Sequence, residues 1–340
     1  MIPTLFGISV LCFALIHLAP GDAALVRADA ATGEGRGDAS ELIERFRREH
    51  LLDRALAVQY LHYLGPFDWS PSGHRWLGGD GSHPWNGLLV GDLGREYLRP
   101  SVTVAGELRK RLAVTVPLSG TAILICFLLA IPLGIHGALR RGTPLAHAGT
   151  ALVFALYSLP VFWAGLLLQM AFGATGLGWL PVLGLSSSDA AELGPLARAL
   201  DTLRHALLPL VCLSYGGLAY VSRQMRAGVL DALGADFVRA ARAKGLSERQ
   251  VVRRHVLPNS LLPLATLVGQ VLPLMVGGSI LVETVFDIPG MGRYAYEALS
   301  NREYDAVMGT VLCSALMTLA GFLVSDVLYA LVDPRVRLEA

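Results

Sequence analysis

Charged residues are scarce in this chain of 340 residues, at 16% of the composition, and lysine occurs only at Lys110 and Lys244. Neither lysine follows a glycine, whereas a phosphate-binding P-loop requires the sequence Gly-Lys-Ser or Gly-Lys-Thr. The sequence therefore excludes an ATP site of that type on this chain. Hydrophobic residues make up 53%, which is far from the composition of an ordinary soluble domain and typical of an integral membrane protein.

Cysteine is also rare, and its positions imply no disulfide or metal framework. All four thiols lie in apolar segments, where cysteine behaves as a small hydrophobic residue: Cys12, Cys126, Cys212 and Cys313. The spacing of His74, Asp80 and His83 matches no particular metal site, and we interpret them as loop residues. No catalytic motif and no nucleic-acid-reading domain is recognisable, so we expect no catalytic residues, no metal and no nucleic-acid partner.

What the chain has in abundance is long apolar segments. A bilayer core about 30 Å thick requires roughly 20 mostly apolar residues in each helix. Six segments fit that requirement when interruptions by Gly, Pro and Ser are allowed: 2–19, 112–139, 147–172, 206–225, 261–285 and 306–332. The prediction is an all-α membrane protein with six transmembrane helices.

Arginine in the short loops predicts the orientation, because such loops stay on the cytoplasmic side during insertion. The loop between the fourth and fifth segments is strongly basic, and the arginines at 140–141 and 335–337 then lie on the same side. Both termini are therefore predicted to be cytoplasmic, with 333–340 as a tail. The basic run 109–111 is an exception, but it belongs to a region longer than the roughly 60 residues over which the rule is reliable.

Residues 20–111 form a predicted extracytoplasmic region between the first helix, at 1–19, and a core at 112–332. Within it, 40–64 has helical spacing of apolar residues, and 65–94 is rich in Gly, Trp and Pro and is predicted to be irregular. A cleaved signal peptide is an alternative for the first segment. The missing basic region before the apolar run argues against it.

The basic segment at 237–259 reads FVRAARAKGLSERQVVRRHVLPN. Its alanine-rich start predicts a helix over 235–244, with Phe237, Ala240 and Ala241 on one side and two arginines on another. Gly245 is a typical helix stop. Ser247 lies three residues before Gln250, the spacing of a capping box, and predicts the start of a second helix.

One face of that second helix is predicted to be apolar and the opposite face polar. The apolar face holds Val251, Val252, His255 and Val256, and the polar face holds Arg249, Gln250, Arg253 and Arg254. Pro258 is predicted to end or kink the helix. The pair forms a rigid protrusion able to transmit force, or alternatively a charged loop that only sets topology and contacts lipid headgroups.

Polar side chains inside the apolar segments are functional candidates because their desolvation is expensive. Gln270 and Glu283 belong to the fifth segment, where Pro273 and the nearby glycines allow a bend. We place these residues on a solute path or outer gate, and for Glu283 the alternative is a carboxylate bonded to a neighbouring loop. Asp326, in the sixth segment, is a weaker path candidate that we expect to pair with another helix.

Several motifs give the chain a family resemblance. The basic segment resembles the EAA loop of bacterial ABC importer permeases, in the dipeptide/oligopeptide (peptide/nickel) branch. The Ala-Ala pair, the glycine and the Leu-Pro ending of that loop correspond to Ala240, Ala241, Gly245, Leu257 and Pro258. Arg239 stands where the consensus has Glu, and His255 where it has an aliphatic residue. Segments 3–22, 158–184, 282–293 and 333–337 are similar to the same branch.

The resemblance implies a type I importer fold in the bacterial inner membrane. It implies a paralogous permease as partner, one or two cytoplasmic ATPases that hold ATP and Mg²⁺, and an external solute-binding protein. No cofactor is then expected on this chain. The coupling loop would span 226–259, and its ATPase-coupling residues would be Arg239, Ala240, Ala241, Arg242, Ala243, Lys244, Gly245, Leu246 and Ser247.

The solute is expected to be a peptide or a peptide-like compound, although the branch also takes nickel chelates and some oligosaccharides. A secondary transporter driven by an ion gradient is the alternative from another class. Such a transporter would show repeated spans and deeply placed charges, and we find no clear repeat in the sequence.

Overall fold

The computed structural model describes residues 2–19, 21, 23–32, 39–65, 87–261, 264, 267 and 274–332. In this part of the chain the regular secondary structure is helical, with one 3₁₀ turn at Leu88–Val90 and one π turn at Val252–Val256. The α-helices are α1 Ile2–Leu18, α2 Ala23–Thr32, α3 Ala39–Glu49, α4 Leu56–Leu64, α5 Val104–Leu139, α6 Pro144–Ser158, α7 Val161–Phe172, α8 Pro195–Gly234, α9 Asp236–Ala243, α10 Glu248–Val251, α11 Leu257–Ser260, α12 Ile280–Val285, α13 Met291–Ser300 and α14 Tyr304–Val332.

The chain divides into two compact units. The first consists of Met1–Ala113 and Tyr294–Leu316, and the second of Val114–Arg293 and Met317–Ala340. The break after Ala113 lies close to the boundary predicted at 111. The inclusion of Tyr294–Leu316 in the first unit differs from the sequence-based division, which assigned all of 112–332 to the core.

Buried carboxylates explain why Tyr294–Leu316 belongs to the first unit. Glu303, just before α14, accepts hydrogen bonds from the backbone N–H groups of Tyr97 and Leu98, the latter at 2.7 Å. Glu96 accepts one from the Tyr294 hydroxyl at 3.0 Å. Burial raises the pKa of Glu303, and the two N–H donors act in the opposite direction. These contacts join residues about 200 positions apart in sequence.

Aromatic and aliphatic side chains form the core of the first unit. Phe13 of α1 packs with Tyr63, Met308 and Leu312, and a second cluster gathers Phe46 around small residues of α2. The region predicted to be helical, 40–64, contains α3 and α4. The region predicted to be irregular, 65–94, lies largely outside the described residues.

Among the described residues, three helices are long and apolar enough to cross a bilayer, judged by length and composition: α5, α8 and α14 over Tyr304–Val327. A fourth span results if α6 and α7 count as one. The helix α1 is shorter, and most of the predicted fifth segment lies outside the described residues. The number of six spans therefore stays a prediction.

The third predicted segment is not one straight helix, because α6 and α7 meet at an angle of 97°. Pro160 separates them, and a residue that precedes proline is driven out of the helical region. Leu159 accordingly has φ −79° and ψ 124°. Its carbonyl oxygen accepts a hydrogen bond from the Tyr215 hydroxyl at 3.0 Å, so the bend leaves that oxygen with a partner.

The helix α8 organises the second unit. Its buried residues Tyr215, Met225 and Val229 belong to one cluster with Cys126 and Ala130 of α5. The same cluster extends into the basic segment through buried valines of α9 and α10. The basic segment is therefore part of the hydrophobic core of this unit on one face.

We expect the Glu303 contacts to stabilise the first unit. Glu303→Gln keeps the size of the side chain but replaces one of its two acceptor oxygens with a donor, so one N–H of residues 97–98 loses its acceptor. A buried unsatisfied group costs about 1–3 kcal/mol. The apparent melting temperature in detergent should fall by several degrees. The exposed Glu192→Gln serves as control, and equal melting temperatures for both variants would contradict the assignment.

Candidate functional site

The two helices of the basic segment are joined by a tight turn. The helix α9 ends at Ala243, one residue before the predicted end. Gly245 adopts φ +80°, a left-handed conformation that glycine reaches without strain. The N–H groups of Gly245 and Leu246 bond to the carbonyl oxygens of Arg242 and Ala241, at 2.9 and 3.4 Å. The predicted helix stop is confirmed.

Two sets of side-chain hydrogen bonds fix the start of the second helix, one from its own first turn and one from α9. The predicted capping box is present, with the Ser247 backbone N–H donating to Gln250 Oε1 at 3.0 Å. Arg242 bonds to Glu248 through Nε at 2.7 Å and Nη2 at 3.2 Å. These hydrogen bonds raise the pKa of Arg242 and lower that of Glu248. The two helices and their turn form one ordered unit (residues 236–260), which we call the coupling protrusion after the role predicted for it from the family resemblance.

The face of α9 that packs inward is centred on Val238. Val238 and Ala241 are buried, three positions apart, whereas Phe237 is 41% exposed and Ala240 is exposed. Phe237, Ala240 and Ala241 were predicted to lie on one side of the helix, and of the three only Ala241 is buried, because the buried face is centred on Val238. The exposed surface of the turn and its flanks includes Arg239, Arg242, Ala243, Lys244, Gly245 and Ser247, and Leu246 is half-buried.

The second helix has the predicted faces. Val251 and Val256 are fully buried, and Val252 and His255 are half-buried. The four polar residues predicted for the opposite face are all exposed: Arg249, Gln250, Arg253 and Arg254.

Pro258 does not end this helix, so of the two predicted alternatives, an end or a kink, the end is wrong. The chain widens into the π turn Val252–Val256, in which the Leu257 N–H bonds to the Val252 carbonyl, and continues as α11 to Ser260. Proline has no N–H to donate, so it is accommodated in the first turn of α11.

Glu283 lies in α12 and is 2% exposed. Its Oε1 accepts a hydrogen bond from the Thr115 hydroxyl at 3.1 Å, and its Oε2 accepts one from the Arg293 N–H at 2.7 Å. The Thr115 oxygen accepts in turn from the Met291 N–H at 2.8 Å. These contacts are those of the second alternative for Glu283, a carboxylate that holds a neighbouring loop.

The Glu283 carboxylate lies directly against residue 290, where only glycine leaves enough space. A Cβ at this position would lie 2.2 Å from Cδ of Glu283, which is far inside van der Waals contact. Sequence reasoning found Glu283 but missed Thr115 and Gly290. The Gly-Met-Gly sequence at 290–292, in a segment that begins with a proline, was the available signal of a close backbone approach.

The remaining path candidates have different outcomes. Gln270 and Pro273 lie outside the described residues. Asp326 is exposed on α14, and among the described residues no side chain pairs with it, so the expected pairing within the chain is not observed. Gln169, another polar residue of the apolar segments, donates from Nε2 to the carbonyl oxygens of Val182 at 3.0 Å and Val285 at 2.8 Å.

The part of the chain that the structure describes contains no group of three His, Cys, Asp or Glu side chains arranged to hold a metal. His74, Asp80 and His83 lie outside it.

Long apolar helices and an ordered basic protrusion define the class of this protein as a multi-pass α-helical membrane protein. Comparisons with known proteins are more specific. The profile of the family described as "binding-protein-dependent transport system inner membrane component" matches residues 130–338. The dipeptide transport system permease protein DppB of Escherichia coli K12 is 33% identical, over 99% of this chain and 96% of that protein.

The oligopeptide transport system permease protein AppB of Bacillus subtilis is 31% identical, over 98% of this chain and 96% of that protein. The chain therefore belongs to the family of inner-membrane permease components of binding-protein-dependent ABC importers, in the branch of the peptide permeases. In this family the permease is a transport subunit, and the ATPase is a separate subunit.

A solved structure shows the same fold. A crystal structure described as "an amino acid ABC transporter with histidines" matches with a TM-score of 0.50 at 16% identity, over 66% of this chain and 94% of that chain. The predicted importer permease fold is confirmed at this level.

We expect Gly290→Ala to displace the Glu283 carboxylate, because the added methyl group overlaps it. Overpacking of this kind costs about 1–3 kcal/mol, so the melting temperature in detergent should fall. Gly277→Ala is the matched control, because a Cβ at Gly277 meets no atom within 4 Å. Equal melting temperatures for the two variants would show that the loop moves freely away from Glu283.

Proposed function

We propose that this chain forms half of the translocation path of an ATP-driven importer for peptides or peptide-like solutes. The other half would come from a paralogous permease. One or two ATPases would bind ATP and Mg²⁺ on the cytoplasmic side, and a solute-binding protein would deliver the solute from outside. Family membership and the names of the similar permeases, which are dipeptide and oligopeptide permeases, support this assignment.

The observation that carries the mechanism is the coupling protrusion. Its inner residues Val238, Ala241, Val251 and Val256 share one cluster with the buried face of α8. Its outer surface is exposed and basic, around Arg239, Arg242 and Lys244 in the predicted 239–247 coupling helix. In this proposal an ATPase contacts the exposed face of the protrusion, and the buried face is continuous with the core around α8. A movement of the ATPase would then be transmitted to α8, because packed cores move as units.

The proposed cycle is alternating access between two conformations. Closure of the ATPases on ATP would favour the outward-open state, and hydrolysis would reset it, since a ligand shifts an equilibrium by its differential affinity for the two states. In this scheme both chain termini are cytoplasmic, six helices cross the membrane, and 20–111 lies outside. Glu283 would act at the outer gate by holding the 290–293 loop, and Gln270, Pro273 and Asp326 stay path candidates.

Purification of the complex from native membranes tests the assignment. Mass spectrometry should identify a second permease, one or two ATPases and a binding protein. The solute bound to that protein distinguishes peptides from nickel chelates or oligosaccharides. Uptake by vesicles that depends on an ion gradient and persists without ATP would instead establish a secondary transporter.

We expect Gly245→Pro to uncouple ATP hydrolysis from transport. Proline fixes φ near −65°, whereas residue 245 has φ +80°, so the turn between α9 and α10 must change shape. Solute uptake should fall by about tenfold or more, a loss of coupling worth roughly 1.4 kcal/mol per factor of ten, while the amount of inserted protein stays the same.

Gly245→Asn is the matched control, because asparagine tolerates the left-handed conformation better than other residues. It should retain most of the uptake. Normal coupling in the proline variant would refute the role of the turn.

A further inference from the structure

A pocket of about 340 Å³ lies in the second unit, between the loop that follows α7 and the first turns of α8. We call it the α8 pocket, and its walls include Trp179, Pro181, Ser187, Asp201, Arg204 and His205. Ligand pockets in proteins measure about 300–1,000 Å³, so this volume suits a small solute or one end of a larger one. In the proposed topology the pocket opens on the outer side of the membrane.

Asp201 builds one wall of the pocket. Its Oδ1 accepts a hydrogen bond from the Ser187 hydroxyl at 2.5 Å, and its Oδ2 accepts one from the Ser187 backbone N–H at 2.8 Å. Nδ1 of His205 lies 3.4 Å from the same carboxylate and 2.9 Å from the Asp201 carbonyl oxygen. Both carboxylate oxygens are thus engaged within the wall, and the negative charge of Asp201 is used to order the loop.

Arg204 is differently placed. Its Nη2 lies 3.5 Å from the Trp179 carbonyl oxygen, which is the outer limit of a hydrogen bond, and its side chain is exposed. No carboxylate among the described residues forms an ion pair with it. The guanidinium therefore keeps most of its N–H donors for a ligand, in the planar arrangement that matches a carboxylate. His205 donates from Nδ1 to the Asp201 carbonyl oxygen, which leaves Nε2 as a hydrogen-bond acceptor beside the guanidinium.

The loop that closes the pocket is held in place by contacts within the chain. Gln169 bonds to the Val182 carbonyl at 3.0 Å, and the Gly184 N–H bonds to the Phe286 carbonyl at 2.8 Å. The Trp179 ring packs against Phe172 with 6.1 Å between centroids. A pocket whose walls are fixed by such contacts loses little entropy on binding, which favours affinity for a small ligand.

We propose that the α8 pocket binds the free C-terminal carboxylate of a short peptide, in an outer capture step before passage. Arg204 holds the carboxylate through two N–H groups, Nε2 of His205 accepts a hydrogen bond from the adjoining peptide N–H, and Trp179 and Pro181 cover the adjoining apolar part of the solute. This inference rests on the proposed function, because it takes peptides as the solute class. It adds a solute site on the permease itself, separate from the binding protein.

Direct binding to the purified complex, with its ATPases and without the binding protein, tests the proposal. Tritiated Ala-Ala is the probe, and its C-terminal amide is the competitor that lacks the carboxylate. Wild-type complex should bind Ala-Ala and discriminate against the amide. Arg204→Gln should weaken binding by about tenfold or more, since it removes a charge-assisted pair. Arg204→Lys, which keeps the charge but not the planar fork, should fall between the two.

Arg198→Gln is the matched control on the same helix. Arg198 is also exposed, but its guanidinium bonds to the carbonyl oxygens of Ala190 and Ala191, at 2.9 and 3.0 Å, and it does not line the pocket. Its substitution should leave Ala-Ala binding unchanged. Equal binding by the Arg204→Gln complex, or no preference for the free carboxylate, would overturn the proposal.

Uptake by the complete system with its binding protein separates failure of this inference from failure of the proposed function. Peptide uptake by wild type together with full uptake and unchanged binding in Arg204→Gln would reject the pocket and leave the importer assignment intact. Absence of peptide uptake by wild type would reject peptides as the solute, and the pocket proposal with them. Reduced uptake in Arg204→Gln at low solute concentration, but not in Arg198→Gln, would support the capture step.

Discussion

Hydrogen bonds from buried side chains to irregular backbone are the interaction on which the rest of this structure depends. An apolar environment offers no water to a backbone group that leaves a helix, so the protein must supply the partner. Glu283 and Thr115 do this for the loop at 290–293, and Glu303 does it for residues 97–98. Gln169 does it with donors, for the carbonyl oxygens of two different segments.

This use of buried polar side chains as backbone partners explains why the polar residues of the apolar segments are hard to assign to transport from sequence alone. The high cost of burying a carboxylate or an amide predicts that each has a purpose, but the purpose can be architectural. Glu283 shows how the two purposes combine. A carboxylate that holds a loop in one conformation also determines how easily that loop leaves it, so in the proposed importer the loop-holding contacts of Glu283 would also serve the outer gate.

The local features of the coupling protrusion could be predicted because they follow from short-range chemistry. The Ser247 capping box, the Gly245 stop and the two faces of the second helix each depend on residues within one or two turns. The face of α9 that packs inward, in contrast, depends on a longer-range contact. Val238 and not Phe237 faces inward, since the core supplied by α8 fixes the rotation of α9.

Pairings between distant residues could not be read from the sequence. Nothing near Glu283 identifies Thr115, 168 positions away, as its partner. The α8 pocket was only partly visible in advance. Asp201, Arg204 and His205 have the spacing of one helix face at the edge of an apolar segment, but the loop residue Ser187 and the Trp179 wall depend on how the chain folds back. Pro160 did carry the information for the bend between α6 and α7.

The π turn at Val252–Val256 has a consequence for the two valines that flank the arginines of the second helix. Val251 and Val256 are five residues apart, and an α-helix, at about 100° per residue, would place them about 140° apart around its axis. A π turn closes its hydrogen bond over five residues and so takes up one extra residue in a single turn. It thereby brings both valines toward one side, and both are fully buried.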